Sequence, residues 1–178
     1  MSDIPADALR ETWDSVHEQS LKLAAMIEAH CVDTGERFDA IIVIPRGSYY
    51  PVNIVARELG FEAVDLIHAS IGSYISGQTT RKNEFELGQM PTDAEISGKN
   101  LLIIDEVCET GNTLAFLTER LKQQGAALIR TGALHYKPDR TQTEFAPDWY
   151  VVKTDKWIHY PWESHDDNGK NSIVKRRG

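Results

Sequence analysis

Residues Leu101 to Thr113 read LLIIDEVCETGNT: four apolar residues, an Asp-Glu pair, Val-Cys, a third acid, and then Thr-Gly-Asn-Thr. An unbroken apolar run of this kind predicts a strand buried on both faces, as in a parallel sheet. Leu114, Leu117 and Leu121 follow at helical spacing and Gly125 ends that helix, so the acids and the TGNT stretch fall at a strand-to-helix turn. In an open parallel sheet, ligands bind beyond the carboxyl ends of the strands. There ETGNT can present backbone N–H groups, the hydroxyls of Thr110 and Thr113, and the positive end of a helix dipole to one phosphate, with Gly111 allowing close approach. GxxxxGK[ST] is absent and the loop has no lysine, which disfavours a Walker-type triphosphate site and favours a terminal monophosphate. A bare Asp-Glu pair ordinarily caps a strand in water. Beside a phosphate cradle, Asp105 and Glu106 make sense if they accept hydrogen bonds from the 2′- and 3′-hydroxyls of a ribose, or hold Mg²⁺ between sugar and pyrophosphate.

Outward from this segment the same alternation continues. AIIVIP (40–45) predicts a doubly buried strand, RGSYY a turn, and VNIVAREL a short helix that starts at Pro51 and closes at Gly60. EAVDLIHAS (62–70) and ALIRTGALHY (127–136) predict further strands. Strands alternating with helices define an α/β protein with an open, mainly parallel sheet. Upstream, Leu9, Trp13, Val16, Leu23 and Ile27 form one stripe of a packing helix over residues 8–30, with Asp7 available as its cap. Between the second and third strands lie about thirty polar, glycine-bearing residues with room for a β-hairpin, and loops this long are usually functional or disordered. The basic tail NGKNSIVKRRG is expected to be loosely held.

At 178 residues, 41% hydrophobic and 26% charged, the chain fits one soluble globular domain. Its net charge of −8, from 19 Lys plus Arg against 27 Asp plus Glu, argues against a nucleic-acid coat, which needs a basic face to displace counterions. Cys31 and Cys108 lie far apart without a CxxC, so neither a zinc site nor a disulfide framework is expected, and a cytoplasmic setting follows. The N-terminus MSDIPADALRETWD is acidic and polar, and no run approaches the ~20 apolar residues needed to cross a bilayer, so neither export by a classical signal nor a membrane span is expected.

LLIIDEVCETGNT resembles the phosphoribosyl-pyrophosphate motif of type I phosphoribosyltransferases. IPRGSYYPVNIVARELG resembles the pyrophosphate-loop region of that fold, and LHYKP followed by PDWYVVKTDKWIHYPWE resembles the purine-covering hood of its 6-oxopurine branch, especially the xanthine-guanine type. The three pieces occur in the right order across roughly Asp39 to Glu163. The resemblance implies a central, mainly parallel twisted sheet flanked by helices, with a small hood and a flexible flap. The single domain 1–178 then divides into an N-terminal helix (1–38), a core (39–136) with the flap at about 71–98, a hood (137–165) and the tail (166–178).

It also implies roles for residues. Arg46, Gly47 and Ser48 meet pyrophosphate; Asp105, Glu106, Glu109, Thr110, Gly111, Asn112 and Thr113 hold phosphoribosyl pyrophosphate. Glu109 stands where the hypoxanthine and guanine enzymes usually carry an aspartate that exchanges a proton near N7 of the purine, one methylene longer here. Glu106 is likewise longer than the usual second acid. Lys137 matches the donor to the oxygen at purine C6, Trp157 the aromatic that stacks on the base, and Ile158 the neighbour whose backbone reaches the C2 side. Ser73 and Tyr74, with Arg81 and Lys82, belong to the closing flap, which excludes water from an oxocarbenium-like transition state. Mg²⁺ is implied as cofactor, held by Asp105 and Glu106 with Glu163 serving a pyrophosphate-bound metal. The implied partners are phosphoribosyl pyrophosphate, a 6-oxopurine, the nucleoside monophosphate and pyrophosphate, with no nucleic acid or membrane, in a homodimer or homotetramer. An alternative is a regulator of the same fold that binds phosphoribosyl pyrophosphate or nucleotide without catalysis.

Overall fold

In the computed structural model, which describes residues 5–72 and 85–163, a two-residue strand, β1 (Leu9–Arg10), precedes the first helix, α1 (Trp13–Thr34). The expected helix start at residue 8 with Asp7 as cap is corrected here. Thr12 is the cap, because its side chain accepts from the Ser15 amide while the Ser15 hydroxyl accepts from the Thr12 amide. Leu9 is thereby freed for the strand, and Trp13 is 52% exposed although it lies on the apolar stripe. α1 ends at Gly35, whose φ of 76° is the left-handed cap conformation glycine adopts without steric cost.

Next come β2 (Ala40–Val43), α2 (Tyr49–Glu58), a 3₁₀ turn over Ala63–Asp65 and β3 (Leu66–His68). α2 starts two residues before Pro51, which sits in the first turn where its missing N–H costs nothing. The strand expected over 62–70 is reduced to β3, since the Asp65 carboxylate accepts from the Glu62 amide and winds Ala63–Asp65 into the turn. β4 (Ile71–Gly72) pairs antiparallel with β5 (Glu86–Leu87) at the root of the long loop. Then follow α3 (Asp93–Ile96), β6 (Asn100–Cys108), α4 (Asn112–Gln123), β7 (Leu128–Tyr136), β8 (Trp149–Lys153) and β9 (Ile158–His159).

The main sheet has the order β3-β2-β6-β7-β8, with every neighbouring pair parallel. Unbroken apolar runs serve both faces. Ile41, Val43, Leu102 and Ile104 pack with Val16, Leu23, Ile27, Val52 and Val55 of α1 and α2, whereas Ile42, Leu101 and Ile103 pack with Ile96, Leu114, Leu117 and Leu121 of α3 and α4. Apart from this sheet, β1 pairs parallel with β9, joining the N-terminal segment to the stretch that follows β8. No helix among the described residues is long and apolar enough to cross a membrane.

Candidate active site

The chain runs outward from β2 to β3 and returns on the other side of β2 as β6, so the order reverses between β2 and β6. A crevice opens at the carboxyl ends of two strands whose connections diverge in this way. Arg46–Gly47–Ser48 leaves β2 there, after a cis Pro45–Arg46 peptide, and residues 105–113 leave β6. Pairing with β7 through Cys108 and Tyr136 extends β6 beyond the apolar run, so Asp105 and Glu106 lie within the strand.

These two segments are fitted to each other. A Cβ on Gly47 would stand 2.1 Å from Glu106 Oε1 and 2.7 Å from Oε2, so only glycine leaves room for that carboxylate. Asp105 is buried and its Oδ1 accepts from the Glu106 amide at 2.9 Å. Burial raises both carboxyls above their ordinary range, and for Glu106 the like charge of Asp105 adds to the effect. Glu106 Oε2 is buried and finds no hydrogen-bond partner among the described residues. Two adjacent carboxylates with an orphaned oxygen suit a hard divalent cation that takes oxygen donors.

Gly111 precedes α4 as its cap position, with φ of 77° and no side-chain hydrogen bond, so the N-terminal turn of the helix is available to an anion. The β7–β8 connection braces this loop. The Gln142 amide donates to the Thr110 carbonyl, Asn112 Nδ2 donates to Gln142 Oε1, and Thr143 Oγ1 lies 2.6 Å from where a Gly111 Cβ would stand.

Register brings Glu109 and Lys137 together. Cys108 pairs with Tyr136, and the Lys137 amide donates to the Cys108 carbonyl, so the next residue on each strand meets its counterpart. Lys137, 4% exposed, holds its Nζ 3.1 Å from Glu109 Oε1. Arg140 Nη1 donates to the same oxygen at 3.1 Å.

The remaining residues singled out in the sequence lie as follows. The Ser48 hydroxyl is buried and donates to the Ile44 carbonyl, leaving its role in the loop to the backbone. Trp157 is 52% exposed, while Ile158 is buried in the core beside α1. Glu163 accepts from the Tyr160 amide at 3.0 Å and pairs with His159 at 3.4 Å. Among the described residues no three acidic, His or Cys side chains form a metal-sized group, so Asp105, Glu106 and Glu163 are not gathered into one site. Ser73, Tyr74, Arg81 and Lys82, and the whole of the expected tail, lie outside the described residues.

Sequence reading missed Arg140, Gln142 and Thr143, although KPDR immediately after a buried strand was a usable signal for the first. It also missed Glu11, His135 and Tyr160, which are buried and hydrogen-bonded in series against the back of Glu106. Their separation in the chain left no local pattern to read.

The phosphoribosyl transferase domain family matches residues 12–168. A xanthine-guanine phosphoribosyltransferase of Ruegeria sp. is 33% identical over 158 residues, covering 85% of this chain and 83% of that one. Another from Idiomarina loihiensis is 29% identical over 157 residues, 86% of each chain. The crystal structure of a purine phosphoribosyltransferase from Pyrococcus horikoshii superposes with a TM-score of 0.69 at 26% identity, covering 96% of this chain and 99% of that one. With its parallel sheet, its crevice at the β2–β6 reversal and its acidic strand end running into the TGNT turn, this chain belongs to the phosphoribosyltransferase family and has the type I fold.

Proposed function

We propose that the protein transfers the 5-phosphoribosyl group from phosphoribosyl pyrophosphate to a 6-oxopurine (hypoxanthine, guanine or xanthine), releasing the nucleoside 5′-monophosphate and pyrophosphate in purine salvage. The observation that carries this reading is the buried Lys137 ammonium set 3.1 Å from Glu109, beside the turn that opens α4. An ammonium has donors only. A purine carbonyl at C6 can accept from it, whereas the amino group of adenine would face it donor to donor. Glu109, next to it, is placed to take or return a proton at the imidazole edge of the base as the bond to C1′ forms.

The 5′-phosphate is assigned to the amides and hydroxyls of Thr110, Gly111, Asn112 and Thr113, and the pyrophosphate to the backbone of Arg46–Gly47–Ser48. Asp105 and Glu106 are the residues that would hold Mg²⁺, whose charge would offset the repulsion between these acids and a polyanionic substrate. Trp157, exposed on the hood, is available to cover the base. No observation favours the alternative of a non-catalytic regulator.

The test is pyrophosphate release from phosphoribosyl pyrophosphate and Mg²⁺ with each of hypoxanthine, guanine, xanthine and adenine. Turnover of the three 6-oxopurines, its loss in excess chelator and rejection of adenine are expected. Loss of a hydrogen bond to a charged, buried donor costs about 1.5 to 3 kcal/mol, so Lys137→Ala should lower kcat/KM for 6-oxopurines roughly tenfold to a hundredfold and narrow their advantage over adenine. Binding without turnover of any base would refute the enzyme reading, and efficient use of adenine would refute the role of Lys137.

A further inference from the structure

Behind the acidic pair runs a buried hydrogen-bonded series that the proposed chemistry does not use. Glu11 is 8% exposed, His135 is fully buried and Tyr160 is 3% exposed. Glu11 Oε1 lies 2.9 Å from His135 Nε2, His135 Nδ1 lies 2.9 Å from the Tyr160 hydroxyl, and that hydroxyl donates to the Glu106 carbonyl at 2.9 Å. Because the phenol has one proton and gives it to the carbonyl, its oxygen accepts from Nδ1, and one proton lies between Nε2 and Glu11. The other Glu11 oxygen accepts from the Ser15 hydroxyl and from Gln19 Nε2. Three distant parts of the chain therefore converge on one backbone carbonyl.

That carbonyl is where the sheet stops supporting β6 on one side. The ladder from β2 ends at Val43 and Ile104, two residues before Glu106. The side chain of Glu106 must nevertheless keep to the notch opposite Gly47, where a single added carbon would collide with it. The phenol that supplies the donor is itself fixed. Its ring stacks on Trp162 at 4.6 Å and 8°, and Trp162 stacks in turn on Tyr50 of α2 at 4.3 Å and 8°. The Tyr160 amide is held by Glu163.

We propose that Tyr160, held by His135 and Glu11, is a positioning residue that fixes the Glu106 backbone and so aims the Asp105–Glu106 carboxylates at a divalent cation bound with phosphoribosyl pyrophosphate. This rests on the proposed function. Tyr160 touches neither substrate nor cation; it acts through Glu106. Glu163 contributes to the same end through the Tyr160 amide, which gives PWE a role different from that of a direct metal ligand. Without the phenol this part-buried carbonyl keeps only its pairing with β7, where β2 no longer braces the other side, and a carboxylate displaced by a fraction of an ångström loses cation affinity while the ring stacking stays intact.

The test is isothermal titration of the full chain with Mn²⁺ and phosphoribosyl pyrophosphate without a purine, so that no turnover occurs. Tyr160→Phe keeps the ring on Trp162 and removes only the hydroxyl. It should weaken binding of the Mn²⁺ complex about tenfold and leave the KM for the purine within about twofold of wild type. Glu11→Gln should give a smaller loss, and the double variant should be no weaker than Tyr160→Phe, because Glu11 acts through the phenol. Wild-type affinity in Tyr160→Phe, or equal losses for the purine and the metal complex, would overturn the positioning role. If Tyr160→Phe does not fold, unchanged Mn²⁺ affinity in Glu11→Gln overturns it instead. Failure of the wild-type protein itself to bind the Mn²⁺ complex would overturn the proposed function and this inference with it.

Discussion

Gly47→Ala separates the fit of the site from the stability of the fold. Ordinary contact for a Cβ begins near 3.4 Å, whereas the new methyl group would stand 2.1 Å from Glu106 Oε1 and 2.3 Å from the carboxyl carbon. The carboxylate must retreat by more than 1 Å. Being the end of a rotatable side chain, it can do so without moving β6. Gly47 does not occupy the left-handed region, so alanine brings no backbone strain and slightly restricts the unfolded chain. Stability should therefore change by less than about 1 kcal/mol. Displacement of a substrate-positioning group by about 1 Å can cost about 10²-fold in rate, so kcat/KM for phosphoribosyl pyrophosphate should fall by that order, roughly 2.7 kcal/mol of transition-state binding. Gly60→Ala is the converse control. Its φ of 78° penalises alanine, while nothing lies within 4 Å of the new methyl group. It should lose about 1 kcal/mol of stability and no activity. The assays are steady-state pyrophosphate release and thermal melting of both variants. A Gly47→Ala enzyme within threefold of wild type would refute the view that the Gly47–Glu106 fit organises the site.

Two further outcomes test the electrostatics of the chain. The Glu36 carboxylate, bonded to Arg130 at 2.6 and 3.1 Å and to His30 at 2.9 Å, is held down to about 2 from an ordinary 4.5. The stability it adds is fully present above pH 4.5 and disappears as the pH falls toward 2, so Glu36→Gln should cost about 1 kcal/mol near neutrality and progressively less in acid. A difference in melting temperature from wild type that is the same at pH 7 and pH 3 would refute the assignment. Burial, with the charge of Asp105 second, pushes the Cys108 thiol up to about 12. Iodoacetamide near neutral pH should leave Cys108 unlabelled in the native protein and modify it after denaturation, as read by mass spectrometry; rapid native labelling would refute its burial.

What the sequence disclosed was local. AIIVIP and LLIID are strands because their alternate residues serve two helical layers, and that pattern is written in consecutive letters. The TGNT turn was legible for the same reason, since strand, acids, glycine and helix follow one another without a break. The N-terminus was misread where tertiary pairing outweighed periodicity. Leu9 fits a helical stripe, yet its amide donates to the Trp157 carbonyl, so the helix waits for the reciprocal cap of Thr12 and Ser15. Glu163 showed the same limit. An acid in PWE is visible, but its hydrogen bond back to the Tyr160 amide depends on how the hood turns. The Glu11–His135–Tyr160 series lay further out of reach, its first two members being 124 positions apart.

The extra methylene of Glu109 acquires a physical meaning from Arg140. The resemblance implies an aspartate at this position, and a longer side chain would ordinarily loosen the geometry of proton transfer. Here Glu109 Oε1 sits between Lys137 Nζ and Arg140 Nη1, 3.1 Å from each, so the added reach is taken up by a second cation. The two cations differ in burial: Lys137 is enclosed, whereas the Arg140 side chain is 48% exposed. In the proposed reaction Lys137 must turn part of its donor capacity toward the oxygen at purine C6. Arg140, on the Pro138–Arg140 turn directly after β7, stays with the carboxylate as that happens. The base can therefore draw on the lysine without leaving Glu109 lacking a countercharge, and one buried ammonium can serve substrate selection and carboxylate orientation together. Removing Arg140 would force Lys137 to choose between them. In the proposed reaction the KPDR stretch therefore serves Glu109 through both Lys137 and Arg140.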